Sequence, residues 1–338
     1  MNPLGTLALT HSSRRTNLSR CSAEFLARRF GDPGRLDRLP PFESLPPPEP
    51  LYCGAASFVE ILEDARGQLH FRPGASWKDR EKVQHVVALG DGLLVGFEQR
   101  VELLGRRYEH PLLAGLHTVA PLPGGRALLS CSASDALLVL DLATGEVEKV
   151  LRMPANLYGR NYDLGPGMDL RRHHIGDEQQ TTHVNAAHPF DGGRRAVVST
   201  LIQGAVGVFD LETGAYEEIV RGFVGCHGAR VSAAGEVYFA DSTAGHLVFL
   251  DDRGRTARRF DTGSRWLHDV QQIRGSIYAF ALADANELRV WDIDQGDCGE
   301  LLYRRRFFTW PVEGLFGLAR RAPFWLGNST QALSFNPD

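Results

Sequence analysis

Hydrophobic and polar residues alternate along most of the chain in short runs, and glycine- or aspartate-containing turns separate the runs. Alternation with a period of two is typical of half-buried β-strands, whereas helical spacing is rare here. The stretch 20–30 is the exception, and its pattern predicts one short helix. The segment 35–50, with three consecutive prolines at 46–48, predicts an extended wrap. The pattern therefore predicts an all-β protein.

Four segments repeat one pattern, in which a histidine opens a strand, a glycine turn follows, and a second strand leads to an apolar-Asp step. The segments are His117–Asp141, His183–Asp210, His227–Asp251 and His268–Asp292. From histidine to aspartate they span 24, 27, 24 and 24 residues. A shorter relative begins at His85, and a sixth start, without histidine, is predicted at Gly314.

The spacing of these starts identifies the architecture. Successive starts are 32, 66, 44, 41 and 46 residues apart, and about 40 to 50 residues is the length of a four-stranded propeller blade. We therefore expect a β-propeller of six blades, with seven as the alternative. We treat residues 1–338 as one propeller domain, with 1–50 as an N-terminal extension.

Too few residues follow the sixth start to complete a blade. Strands from the N-terminal region, at Gly5–Thr10 and Ala55–Leu62, are therefore expected to close the ring. The Asp-x-x-Gly steps after the repeats, such as Asp141–Gly145 and Asp210–Gly214, are interpreted as hairpin turns.

The segment Gly225–Asp251 resembles an NHL-type propeller repeat in its small-x-apolar opening, its glycine turn, its Val-Tyr-Phe-Ala-Asp strand and its closing apolar-Asp step. The resemblance extends over roughly residues 85–338 and implies a propeller architecture. It does not identify a function, because propellers carry many activities.

Equivalent positions at the starts of inner strands form a ring at one mouth of the central channel. The repeats place five histidines there: His85, His117, His183, His227 and His268. Only 12 of 338 residues are histidine, so their recurrence points to a shared role. Imidazole is the commonest transition-metal ligand near neutral pH, which makes a metal site the favoured hypothesis. A metal-free histidine cluster and a relic of duplication are the alternatives.

We expect His117, His183, His227 and His268 to be the ligands, and His85 to be the outlier, because its blade is short. Metal-bound imidazoles usually pass their second N–H to a carboxylate or carbonyl. Candidates for that role are Glu313, Asp269 and Glu98. The thiol of Cys226 should face away from the channel, because neighbouring residues on a strand point to opposite faces.

The long interval before the third start contains an insert, residues 152–182, expected to lie over the channel mouth. Tyr158 and Arg160 within it are candidate substrate contacts, and His173 and His174 are a weaker candidate for another metal site. A solvated surface loop is the alternative. Trp266 is a candidate for the channel wall, with core packing as the alternative.

The composition excludes several classes. A net charge of −4 disfavours a nucleic-acid partner, and no stretch has the length of a membrane-spanning helix. The N-terminus lacks a secretory pattern, and five widely spaced cysteines without a CxxC pair fit reduced thiols. The expected location is the cytoplasm. The oligomeric state is left open.

Imidazoles with few carboxylates favour Fe(II), with Zn, Mn or Cu as alternatives. The histidine ring resembles the four-histidine iron site of carotenoid-cleavage oxygenases, which implies a non-haem iron oxygenase. It is also similar to the channel histidines of virginiamycin-B-type and peptidyl-hydroxyglycine lyases, which implies a Zn- or Mn-dependent lyase or hydrolase. Both imply a small-molecule substrate. A non-catalytic binding propeller with a structural histidine ring is the third hypothesis.

Overall fold

The structure is a computed structural model that describes residues 1–14, 54–79, 82–154, 168–171, 180–295, 298–307 and 327–337, with side chains for all of these except 12–14, 78–79 and 327–332. Within these ranges, strands form six four-stranded antiparallel sheets. The protein is a six-bladed β-propeller, as the repeat spacing predicts. None of the helices in these ranges is long and apolar enough to span a membrane.

The first blade joins the two ends of the chain. Its order, from the inside outwards, is β24 (Gly327–Pro337), β1 (Asn2–Arg14), β2 (Gly54–Glu63) and β3 (Leu69–Asp79). The predicted closure by N-terminal strands is confirmed. The inner strand of this blade is β24, so the prediction that it starts at Gly314, which lies outside the described residues, was wrong.

The other five blades follow the chain, each from its inner to its outer strand. Blade 2 contains β4 (Val83–Leu89), β5 (Gly92–Phe97), β6 (Val101–Leu103) and β7 (Arg106–Tyr108). Blade 3 contains β8 (Leu116–Leu122), β9 (Arg126–Cys131), β10 (Ala136–Asp141) and β11 (Val147–Arg152). Blade 4 contains β12 (Val184–Phe190), β13 (Arg195–Thr200), β14 (Ala205–Asp210) and β15 (Tyr216–Val220).

Blade 5 contains β16 (Cys226–Val231), β17 (Val237–Asp241), β18 (His246–Leu250) and β19 (Thr256–Asp261). Blade 6 contains β20 (Leu267–Arg274), β21 (Ile277–Leu282), β22 (Glu287–Asp292) and β23 (Glu300–Arg306). Each inner strand contacts the inner strands of both neighbouring blades, so that β24, β4, β8, β12, β16 and β20 surround the central channel.

Apolar side chains are buried between the blades. Each of six clusters joins two adjacent blades; the one between blades 5 and 6, for example, contains Tyr238, Phe249, Tyr278 and Phe280. Burying apolar area in this way supplies the main favourable free energy of folding. Because the blade faces are used for packing, polar side chains collect at the channel and on the outer strands.

Aspartates at the third-to-fourth-strand turns act as turn residues, as expected. Asp141 Oδ1 accepts hydrogen bonds from the backbone N–H groups of Ala143 and Thr144, both at 2.7 Å, and Gly145 completes the turn at φ = 88°. These backbone hydrogen bonds lower the pKa of Asp141. A positive φ is readily adopted by glycine, which has no Cβ.

A buried ion pair links the inner strands of blades 5 and 6 to the inner strand of blade 1. Arg230 of β16 donates to both carboxylate oxygens of Asp269 on β20, with Nη2–Oδ2 at 3.1 Å. Arg230 Nη2 also donates to the carbonyl of Leu333 on β24 at 2.9 Å, and the Leu333 N–H donates to Asp269 Oδ2 at 2.8 Å. Only glycine fits beside the pair at position 228, where a Cβ would lie 2.1 Å from Asp269 Oδ1.

We predict that Arg230→Met destabilises the protein by about 3–5 kcal/mol, because it leaves the carboxylate of Asp269 buried without its cation. Equilibrium unfolding in urea measures this change. Arg194→Ala, which removes an exposed ion pair with Asp191, is the control and should cost about 1 kcal/mol or less. Equal effects of the two substitutions would contradict the role assigned to Arg230.

Candidate functional site

The mouth at which the inner strands start contains four of the five predicted histidines. His117, His227 and His268 are the second residues of β8, β16 and β20, and His183 directly precedes β12. His117 and His268 are half-buried, whereas His183 and His227 are buried.

These four imidazoles form two pairs. The ring centroids of His117 and His183 are 4.9 Å apart, and those of His227 and His268 are 4.6 Å apart. All three other histidines lie close enough to His117 to lower its pKa. The mouth therefore brings the four rings into one electrostatic environment.

The register of the inner strands shows that three of the five histidines occupy equivalent positions. The first paired residue of β8, β16 and β20 lies opposite the last residue of the second strand of its own blade. His117, His227 and His268 come immediately after that first paired residue.

The equivalent positions in β4 and β12 hold Gln84 and Asn185, so the prediction that five histidines are equivalent was wrong. His85 lies one residue further along its strand. His183 comes before its strand and has φ = 53°. The same register shift occurs at the start of β4, β12 and β20, so the shift does not explain the difference. Histidine simply stands one residue later in the sequence of β4 and two residues earlier in that of β12.

His183 is held at the mouth by a buried aspartate of the neighbouring blade. Asp135 accepts hydrogen bonds from the backbone N–H groups of Thr181, Thr182 and His183 and from both threonine hydroxyls, at 2.6 to 3.3 Å. Asp135 itself has φ = 45°. Five donors on one carboxylate fix the path of the backbone that presents His183, since hydrogen bonds to a charged acceptor are stronger than neutral ones.

His227 has a defined orientation. Its Nδ1 lies 2.7 Å from Ser242 Oγ and 3.1 Å from the carbonyl oxygen of Gly225. Because a carbonyl only accepts, this pairing assigns the proton to Nδ1 and leaves the lone pair on Nε2. Burial lowers the pKa of His227 to about 4, so the ring is neutral at pH 7.

A cation lies beside the histidines. Burial, with contributions from His183 and Lys82, holds the pKa of His117 well below its usual value. Lys82 is buried, and its Nζ lies 3.5 Å from Glu98 Oε2. Glu98 Oε2 also accepts a hydrogen bond from Gln84 Nε2 at 2.7 Å. The contacts of Glu98 are thus with Lys82 and Gln84, although we predicted it as a partner of a ligand histidine.

Trp266 forms an apolar wall of the mouth. Its ring lies 5.4 Å from that of His227, edge to face, and 6.5 Å from that of His268. It packs at the same time against Leu201. Trp266 therefore has both of the roles that we considered for it, since it lines the channel mouth and also packs in the core.

His85 lies apart from the four, in contact with a histidine that the repeat pattern does not single out. Its ring centroid is 6.1 Å from that of His188, the fifth residue of β12. Asp269, predicted as a partner of a ligand histidine, forms the ion pair with Arg230. Its charge nevertheless raises the pKa values of His85 and His227, against the larger effect of burial.

Three predicted site residues, Glu313, Tyr158 and Arg160, lie outside the described residues, and so do His173 and His174. Of the insert 152–182, the structure describes 152–154, 168–171 and 180–182. Cys226 is buried in the core between blades 4 and 5, so its thiol faces away from the channel, as its strand position predicts. Burial raises the pKa of this thiol well above the usual value.

Sequence reasoning missed Lys82, Asp135 and His188. His188 could have been found from the sequence, because it lies on the inner strand that follows His183. Asp135 could not, because its sequence context is that of an ordinary turn.

In the ranges that the structure describes, no three His, Cys, Asp or Glu side chains are already arranged to hold a metal ion. The two close imidazole pairs are thus the nearest approach to such a site.

No protein-family model and no curated protein matches the chain. Among solved structures, it is similar to selenomethionine-substituted virginiamycin B lyase from Staphylococcus aureus, with a TM-score of 0.50 and 11% identity over 75% of this chain and 81% of that one. A streptogramin B lyase structure gives a TM-score of 0.49 and 12% identity over 76% and 80%. At these identities the likeness shows the six-bladed propeller fold alone.

We predict that Asp135→Asn destabilises the protein by about 2 kcal/mol or more, because an amide replaces a charged acceptor of five hydrogen bonds. Asparagine tolerates the positive φ of this position, so backbone strain is not added. Urea unfolding measures the loss. Asp141→Asn, in an exposed turn, is the matched control and should cost about 1 kcal/mol or less; a cost as large as that of Asp135→Asn would contradict the prediction.

We also predict that acid destabilises the metal-free protein. Burial lowers the pKa of His85 to about 4 and that of His11 to about 3 from 6.5. Above pH 6.5 these rings are neutral in both states. Below it the unfolded chain binds protons that the folded chain does not, so the free energy of unfolding falls until the folded pKa is reached.

Each such histidine contributes a slope of up to about 1.4 kcal/mol per pH unit. Urea unfolding with a chelator, from about pH 7.5 to about pH 4.5, measures the slope. His85→Phe should lower this slope by the contribution of one proton, up to about 1.4 kcal/mol per pH unit. An unchanged slope in that variant would show that His85 is not a buried neutral ring.

Proposed function

We propose that the channel mouth binds a divalent transition metal through His117, His183, His227 and His268, and that the protein is a metal-dependent enzyme acting on a small molecule there. The observation that carries the proposal is the two close imidazole pairs at the mouth. Imidazole nitrogens bind a metal at about 2.0–2.1 Å, which places the centroids of two adjacent ligand rings about 4.5–5.5 Å apart. The measured 4.9 and 4.6 Å fall in this range.

The state of His227 supports the same proposal. A metal-bound imidazole usually gives its second N–H to a carbonyl or carboxylate, and the pairing of Nδ1 with the Gly225 carbonyl leaves Nε2 for a ligand. His117 and His227 are neutral at pH 7 because burial lowers their pKa values, so neither must lose a proton to bind a metal. One site would require rotation of the side chains so that both pairs meet at one ion.

The donor set favours Fe(II), Cu, Mn or Zn over Mg or Ca, because it consists of nitrogens. A non-haem iron oxygenase is the form of the enzyme that we propose first, since four imidazoles are the iron ligands of the carotenoid-cleavage oxygenases that the ring resembles. In that case the chain would supply the ligands, and Trp266 would supply an apolar contact for the substrate.

A Zn- or Mn-dependent lyase or hydrolase is the second candidate, and Lys82 favours it. A buried cation beside the histidines would stabilise the negative charge that develops when a proton is removed or an ester is attacked. The solved virginiamycin B lyase shows that a six-bladed propeller can carry a lyase activity, and no more than that.

Metal analysis of freshly purified, tag-free protein, reconstituted anaerobically with Fe(II), Mn(II), Zn(II) or Cu(II), tests the proposal. We expect about one equivalent per chain in the wild type and a loss of at least about tenfold in affinity in His183→Ala/His227→Ala. His246→Ala, a histidine of β18 outside the mouth, is the matched control and should bind as the wild type does.

The preferred metal then selects the reaction. Preferential binding of iron or copper leads to oxygen-uptake assays, and preferential binding of zinc or manganese leads to assays of elimination and hydrolysis. If the folded wild type binds none of these metals, or if the double variant binds them equally well, the mouth is not a metal site. The non-catalytic binding propeller would then be the better hypothesis.

A further inference from the structure

The channel holds a second pair of histidines, distinct from the four at the mouth. His85 comes from β4 of blade 2 and His188 from β12 of blade 4, and their ring centroids are 6.1 Å apart with an interplanar angle of 59°. The inner strand of blade 3 lies between these two strands. The two side chains therefore meet in the channel, past the edge of β8.

Among the residues that the structure describes, three buried nitrogens of this pair have no hydrogen-bond partner. They are Nδ1 and Nε2 of His85 and Nε2 of His188. Backbone groups of Leu333 and Val119 lie near enough to raise the pKa of His85, but without the geometry of a hydrogen bond. A buried polar atom without a partner costs about 1–3 kcal/mol, so the pair is suited to a ligand that satisfies it.

Both rings are neutral at pH 7. Burial lowers the pKa of His85 to about 4 and holds that of His188 well below its usual value, and Arg230 adds to both effects. The charge of Arg230 is matched by Asp269, with which it forms two hydrogen bonds. At His85 the charge of Asp269 offsets part of the effect of Arg230 on the pKa, whereas at His188 Arg230 and His85 both lower it; both neutral imidazoles offer a lone pair.

The ring separation is compatible with one ion bound between the two imidazoles. Two imidazoles that bind one ion from opposite sides at about 2 Å have centroids about 6–6.5 Å apart, whereas adjacent ligands have a shorter separation. We propose that His85 and His188 form an inner channel site that binds one copper(I) ion between two imidazole nitrogens. Rings bound in a line through the ion can rotate about that line, so the angle of 59° is compatible with this geometry.

Two features favour a monovalent ion. The described residues supply two nitrogen donors and no free carboxylate at the site, since Asp269 is held by Arg230 and Leu333. A single charge costs less to desolvate in the buried channel than a double charge, and imidazole is a suitable ligand for copper. This site rests on its own geometry and does not depend on the metal proposed for the mouth.

Anaerobic titration of the chelator-treated full-length protein with copper(I), in competition with a coloured copper(I) chelator, tests the proposal. Among the copper(I) ions that the protein binds, we expect one equivalent whose affinity His188→Phe and His85→Phe each lower by at least about tenfold. Phenylalanine keeps a ring at each position and removes only the nitrogen donors. His183→Ala/His227→Ala and His246→Ala should retain this equivalent.

Silver(I), which does not change its oxidation state, provides a second measurement. It should raise the melting temperature of the wild type and have little effect on His188→Phe, whose fold is checked by circular dichroism. The proposal is overturned if folded wild type binds no copper(I). It is overturned equally if binding survives both phenylalanine substitutions, or disappears in the double variant of the mouth, since the ion would then be bound elsewhere.

Discussion

The ion pair between Arg230 and Asp269 holds three inner strands, β16, β20 and β24, in one arrangement. The ring is closed by the pairing of β24 with β1, and on its other side β24 is attached to β16 and β20 through Leu333 and both members of this ion pair. A buried ion pair often contributes little net stability compared with apolar packing, but it demands one arrangement of its partners. In this protein that arrangement sets the position of β24 against β20, and so the shape of the channel.

The channel in turn explains why so many imidazoles are tolerated. The apolar residues are used between the blades, and the inner strands direct polar side chains into a lumen where burial favours neutral rings. Charged groups inside are neutralised locally: Asp269 balances Arg230, and Glu98 lies beside Lys82. A histidine can be buried there as a neutral ring at moderate cost, whereas an unpaired carboxylate or ammonium could not.

The sequence predicts the blades well because four repeats of similar spacing each form strands that bury the same face against the next blade. It also predicts the first blade, because the strands of the N-terminal region are needed to complete that sheet. It predicts side-chain placement less well. His85 and His183 look equivalent to His117 in the repeat pattern, but strand pairing places Gln84 and Asn185 at the equivalent positions, and His183 precedes its strand with a positive φ. The anchoring of His183 by Asp135 is equally hidden, since it depends on a contact 48 residues apart in the chain.

Asp135 also affects how far the sequence and length of the insert can vary. Its carbonyl accepts the N–H of Met153, where the insert begins, and its carboxylate holds Thr181 and Thr182, where it ends. Both ends are thus fixed to one residue of blade 3. The entropy of closing a loop between fixed ends rises only slowly with length, by about 0.6 kcal/mol for each doubling. New sequence can therefore be accommodated between these anchors at little cost to the stability of the propeller.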